Sequence, residues 1–125
     1  MITIHGQSTA WFDCDNTLIK WQATPEEKEK YGVEFIYTSG VVDKLVPHIK
    51  HIAQLKEHHT RHTAVVVWSA AGAAWAETVV KTLGLEQYVD VCIGKPNWVY
   101  DDLTIEKFMP KARWLDDPNF KIEDY

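Results

Sequence analysis

The chain predicts an α/β fold, a Rossmann-like sandwich with a parallel sheet between helices. Three observations carry that expectation. The run His62 to Trp68 is β-branched and apolar without polar alternation, the pattern of a strand buried on both faces in a parallel sheet. Short strand-like runs alternate with helical periodicity, as α/β folds require. The first four of those runs end in carboxylates, a serine, a lysine and carboxylates again, and open α/β sheets bind ligands at the carboxyl ends of their strands.

Taken in order, Thr9 to Phe12 reads as the first strand and runs into Asp13. The stretch from about Leu18 to Gly40 fits neither period and is expected as a short flap, a hairpin projecting from the end of that strand. Leu45, Val46, Ile49, Ile52 and Ala53 recur at helical spacing, with His48, Lys50, His51 and Gln54 on the other face. Pro47 is expected in the first turn of that helix, where a missing N–H costs nothing. His62 to Trp68 is the second strand. A helix over Ala73 to Leu83 follows, with Gly84 just past its end. Val89–Ile93, Asn97–Tyr100 and Ala112–Leu115 read as strands three, four and five.

At 125 residues, the chain is expected to form one domain over 1–125. Its 46% apolar and 25% charged composition suits a packed core. A net charge of −5 argues against a general binder of nucleic acid or of anionic membrane. Met1 to Gly6 lacks the pattern of a secretory signal. The longest aliphatic run, Ala64 to Trp68, is far short of the roughly 20 residues a spanning helix needs. Cys14 and Cys92 form neither a CxxC nor a zinc pattern. A reduced, soluble, cytoplasmic protein is expected. His48, His51, His58, His59 and His62 read as a solvated basic helix end, since no carboxylate or cysteine set completes a zinc site.

Asp13-Cys14-Asp15-Asn16-Thr17 places two carboxylates at i and i+2 after an apolar strand. One could attack an electrophile while the other, protonated, serves the leaving group. Either could equally be the solvated side chain of an Asx turn. Ser69, before Ala70-Ala71-Gly72, offers a hydroxyl and backbone N–H groups to an anion, or simply caps the next helix. Lys95, on the Gly94–Pro96 loop, could neutralise a phosphoryl group. Asp101-Asp102 and Asp116-Asp117 are adjacent carboxylates of the kind that suits Mg²⁺.

The order of these features from Thr9 to about Leu115 resembles the haloacid dehalogenase superfamily of aspartate-nucleophile phosphohydrolases, in a small capless form. Asp13 to Thr17 looks like its motif I, Trp68-Ser69 motif II, Lys95 motif III and Asp101-Asp102 motif IV. The resemblance implies a five-stranded parallel sheet of order 5-4-1-2-3 without a cap domain. It implies a phosphomonoesterase in which Asp13 is the nucleophile and Asp15 the acid and base. Ser69, Lys95 and the Ala70 backbone would hold the phosphoryl oxygens. Mg²⁺ would be held by Asp13, Asp15 and Asp101, with Asp102 in support and Asp116-Asp117 as the other candidate pair. The implied substrate is a small phosphate ester, with a nucleoside monophosphate as the first guess, from the DxDNT form and the flap aromatics Trp21, Phe35 and Tyr37. Capless members are open to bulky substrates or closed by a neighbouring subunit, so a homo-oligomer is among the expected assemblies. Two competing readings remain: a receiver-like module, disfavoured because the third strand ends without an aspartate, and a catalytically silent phosphate-binding protein.

Overall fold

A computed structural model of the chain describes residues 1–6, 8–37 and 39–118. They fall into two compact units, Met1–Lys95 and Pro96–Tyr125.

In the first unit, β1 (Thr9–Asp13), β5 (Ala64–Ser69) and β6 (Val91–Gly94) form a parallel sheet of order β1-β5-β6. The central strand β5 is buried along nearly its whole length, as its unbroken apolar run predicts. Asp13 is level with Trp68, Trp68 with Ile93, and Ser69 with Gly94. The three carboxyl ends therefore finish together.

The crossovers run through helices. α2 (Ile49–Thr60) precedes β5 and packs on β1 and β5; α3 (Ala73–Thr82) precedes β6 and packs on β5 and β6. α3 buries Ala76, Val79 and Val80 at i, i+3 and i+4. It is followed by Gly84 at φ 68°, a left-handed position that glycine adopts without a Cβ penalty.

The segment after β1 is more than a hairpin. β2 (Ile19–Lys20), β3 (Val33–Ile36) and β4 (Val42–Pro47) make an antiparallel sheet of order β2-β4-β3. The seven-residue α1 (Pro25–Tyr31) lies before β3. Thr24 caps α1 reciprocally with Glu27. Gly32 ends it where an added Cβ would collide with the Lys28 carbonyl. Leu45 and Val46 therefore belong to a central strand and not to the start of a helix. Both are buried with β2 on one side and β3 on the other, and a strand with two partners satisfies the backbone of so short a segment better than an isolated turn would. The helix begins only at Ile49, with His48 as its cap.

The five-stranded parallel sheet is not formed. Asn97–Tyr100 and Ala112–Leu115 are irregular, and among the described residues β1 pairs only with β5 in the parallel sheet. Pro96 precedes the first of these runs and Pro110 the second, and proline removes a ladder donor and favours turns. Among its described residues the second unit instead holds one short helix, α4 (Ile105–Phe108), and a turn closed by the Asp117 N–H to the Trp114 carbonyl at 2.9 Å.

One core joins both sheets of the first unit. Phe12, Cys14, Leu18, Ile19, Phe35, Leu45, Leu55, Val65 and Val67 are buried in the same cluster as the inner face of α3. No helix among the described residues is long and apolar enough to cross a membrane.

Candidate functional site

Because the three parallel strands end level, their terminal residues share one edge of the sheet. Adjacent strands lie about 4.8 Å apart, so a lysine leaving β6 can reach over β5 to β1. Lys95 does so. Its Nζ crosses the Trp68 ring at 5.7 Å from the centroid and pairs with Asp13 Oδ1 at 3.1 Å. Its backbone is fixed as well, with the Lys95 N–H donating to the Ser69 carbonyl at 2.9 Å. That carbonyl also receives the Gly72 N–H at 3.1 Å, closing the turn that starts α3.

Ser69 is fully buried. Its Oγ accepts the Ala71 N–H at 3.0 Å, a local hydroxyl turn. It is not the helix cap, a position held by Gly72 at φ 107°. Ala70 is exposed in the turn between β5 and α3.

The loop after β1 winds tightly around one acceptor. The Cys14 carbonyl receives the N–H groups of Thr17, Leu18 and Ile19 at 3.1, 2.9 and 3.2 Å. Asn16 takes the left-handed conformation this needs, at φ 63°, which asparagine tolerates better than most side chains. Thr17 Oγ1 donates to Asp13 Oδ2 at 3.4 Å. The Thr17 carbonyl lies 2.7 Å from His51 Nδ1. A carbonyl only accepts, so that nitrogen carries the proton.

His48 and His51 are thus no solvated helix end. Both are buried, with rings stacked at 3.9 Å, and His48 Nδ1 accepts the His51 N–H at 3.3 Å. The pair caps α2 and anchors the loop bearing both aspartates.

Asp15 has partners that the sequence did not suggest. Trp21 Nε1 donates to its Oδ1 at 2.7 Å and Trp75 Nε1 to the same oxygen at 3.1 Å. Since Oδ1 accepts twice, a transferable proton on this carboxyl sits on Oδ2. Around the two indoles opens a cleft of about 560 Å³ lined by Asp15, Trp21, Tyr37, Trp75 and Thr78, with two alanines of the α3 end. Trp75 is sixty residues from Asp15, but it is only six past Ser69 and in the first turn of α3. That closeness to a strand end was the signal available for it.

Burial, then the charges of Asp13 and Asp15, then Cys92, push the Cys14 thiol from 9.0 up to about 12, against a smaller opposing effect of Lys95. Such a thiol is inert as a nucleophile at neutral pH. Burial and the Glu77 charge likewise raise Cys92, with Lys81 opposing. Desolvation, the Asp43 carboxylate that accepts its hydrogen bond at 3.4 Å, and then Asp15 hold the Tyr37 hydroxyl above its ordinary value.

Asp13, Asp15, Ser69, Ala70 and Lys95 all lie in the first unit. Asp101 and Asp102 lie in the second, at no strand end. Asp101 Oδ1 accepts the Leu103 N–H at 2.9 Å, an Asx turn that competes with strand formation. Among the described residues no three His, Cys, Asp or Glu side chains converge to hold a metal on their own. Asp13 Oδ1 pairs with Lys95 and its Oδ2 accepts from Thr17, so this carboxylate presents hard oxygen donors at the sheet edge. Mg²⁺ takes hard oxygen donors, commonly one or two carboxylates with water and substrate phosphate completing the shell, and this donor set is of that kind. No protein-family model matches the chain, no curated protein matches it and no solved structure matches it.

Proposed function

We propose that the protein is a Mg²⁺-dependent phosphomonoesterase of the haloacid dehalogenase type, acting on a small phosphate ester. The observation that carries this reading is the Lys95–Asp13 pair at 3.1 Å, formed across the level ends of three parallel strands. A carboxylate and an ammonium at one sheet edge, beside a turn of backbone N–H groups, are what in-line phosphoryl transfer needs: positioning and neutralisation of charge.

In the first step an Asp13 carboxylate oxygen attacks phosphorus. The bond from phosphorus to the leaving oxygen breaks as the proton on Asp15 Oδ2 passes to that oxygen, releasing an alcohol and leaving an aspartyl-phosphate. In the second step water attacks phosphorus and gives its proton to Asp15. The bond to Asp13 breaks, and inorganic phosphate and the free carboxylate return. Lys95 neutralises the phosphoryl oxygens in both steps. Ser69 and the Ala70 turn complete their seat, with Ser69 Oγ holding the Ala71 N–H and the Ser69 carbonyl fixing Lys95. Thr17 and the two indoles keep Asp13 and Asp15 oriented. Asp13 and the Asp15 carbonyl would hold Mg²⁺, which supplies further neutralisation of the phosphoryl charge when bound.

The test is phosphate release with Mg²⁺ from an aryl phosphate, nucleoside monophosphates and sugar phosphates, by wild type and Asp13→Asn. Mg²⁺-dependent release that is abolished by the substitution supports the reaction class. Turnover that survives the substitution removes Asp13 as nucleophile. No release by folded wild type from any ester removes the phosphatase reading for small substrates.

A further inference from the structure

Trp21, Phe35 and Tyr37 gather around Trp75, with ring centroids 6.5, 6.0 and 5.1 Å from it. Trp21 and Trp75 pack against the core, but neither is enclosed by it. Phe35 is fully buried and belongs to the core. Trp21, Tyr37 and Trp75 stay half-buried and line the open cleft beside Asp15. Their polar edges are already engaged within the protein. Both indole N–H groups donate to Asp15 Oδ1, and the Tyr37 hydroxyl donates to Asp43. What these residues have left to offer a ligand is ring surface, which binds by stacking and not by hydrogen bonds.

The two indoles meet at one oxygen atom and their planes diverge by 36°. They form a wedge whose narrow end is the proposed acid. Asp15 is two residues from Asp13, so the two backbones are at most about 7.6 Å apart. A ring seated in the wedge is therefore within a nucleoside's length of a phosphoryl group at Asp13 and Lys95. The cleft, at about 560 Å³, lies within the roughly 300–1,000 Å³ of sites that enclose whole small molecules.

We infer that this cleft binds the planar base of a nucleoside 5′-monophosphate, so that the leaving group is selected by Trp21, Tyr37 and Trp75. The inference rests on the phosphomonoesterase reading for the fate of the bound molecule. The ring site itself is open to test without any chemistry.

The first measurement is binding of adenosine, which carries no phosphate, followed through the indole N–H resonances of Trp21 and Trp75, with ribose as the ringless control. Shifts of both resonances with adenosine and not with ribose are expected. No shift with adenosine, or equal shifts with ribose, overturns the inference. The second compares kcat/KM for adenosine 5′-monophosphate, phenyl phosphate and ribose 5-phosphate. An excess of about ten-fold for the nucleotide over the sugar phosphate is expected, the scale of stacking one base on an aromatic side chain. That ratio should fall several-fold in Tyr37→Leu, which leaves both indole bonds to Asp15 in place. Preference for phenyl phosphate over the nucleotide overturns the nucleoside and assigns the wedge to a simple aryl group. Indole shifts with adenosine but no phosphate release from any ester overturn the phosphatase reading and leave the base site standing. Equal release from all three esters without shifts overturns the base site alone.

Discussion

Replacing Lys95 by methionine separates the electrostatic role of this residue from a structural one. The substitution keeps an apolar stem over Trp68 and removes the charge that meets Asp13 Oδ1 at 3.1 Å. In bulk water a pair at that separation attracts by about 1.3 kcal/mol. Both side chains are about one-third exposed, at 37% and 31%, so side-chain ordering and screening reduce the net contribution to below about 1 kcal/mol. Losing the contact of the ammonium with the indole adds about 0.5–1 kcal/mol. The variant should therefore fold and melt within roughly 8 °C of wild type, at about 4 °C per kcal/mol for a domain of this size. The rate should respond far more. Removing one preorganised group that neutralises developing charge costs about 10²–10³ in kcat. The assay is a thermal melt paired with Mg²⁺-dependent phosphate release on the same preparation. A melt lowered by 15 °C or more with near-normal kcat/KM in the surviving folded protein would refute the reasoning and make Lys95 a strut between β6 and β1.

Two further outcomes follow from burial. Leu55 is fully buried in the core shared by α2 and the parallel sheet, and Leu55→Ala should cost about 2–5 kcal/mol in a urea titration; a loss under 1 kcal/mol would mean that α2 is not packed as described. Cys14, also fully buried, titrates near 12 when folded against 9.0 as its ordinary value. A raised folded value means that unfolding releases a proton above pH 9, so this contribution is complete below pH 9 and is lost as pH rises towards 12, at about 1.4 kcal/mol per pH unit. Urea titrations at pH 8 and pH 10 should show that decline in wild type and a shallower one in Cys14→Ala; identical slopes would contradict it.

The sequence displayed what is local. An unbroken apolar run announces a buried strand, and the polar residue that ends a strand marks the carboxyl edge of the sheet; hence Asp13, Ser69 and Lys95 could be singled out, and parallel pairing then aligns them. Longer-range facts were hidden. Leu45, Val46 and Ile49 fit a helical period, yet Leu45 and Val46 lie in β4, because β2 and β3, both earlier in the chain, supply partners that no local pattern reveals. Asn97–Tyr100 and Ala112–Leu115 have strand composition but no pairing among the described residues, with Asp101 spending its side chain on an Asx turn. The partners of Asp15 were hidden for the same reason. Trp21 reaches it through the fold of the loop, and Trp75 comes from a helix beyond β5.

The buried histidine pair ties α2 to the loop that carries Asp13 and Asp15. His51 Nδ1–H holds the Thr17 carbonyl at 2.7 Å, and Thr17 ends the turn that presents Asp13 and Asp15. His51→Leu removes the donor and leaves a partly buried carbonyl without this partner, at a cost of about 1–3 kcal/mol. His51→Asn places an amide N–H near the position of Nδ1 and should restore much of that loss. If the bond only stabilised the fold, activity per folded molecule would be the same in both variants. Since the loop it holds carries both carboxylates, kcat should instead fall in His51→Leu by more than in Leu55→Ala, measured where both are fully folded, and recover in His51→Asn. Equal kcat in the leucine and asparagine variants at matched folded fraction would show that the histidine pair supports α2 and leaves the aspartates alone.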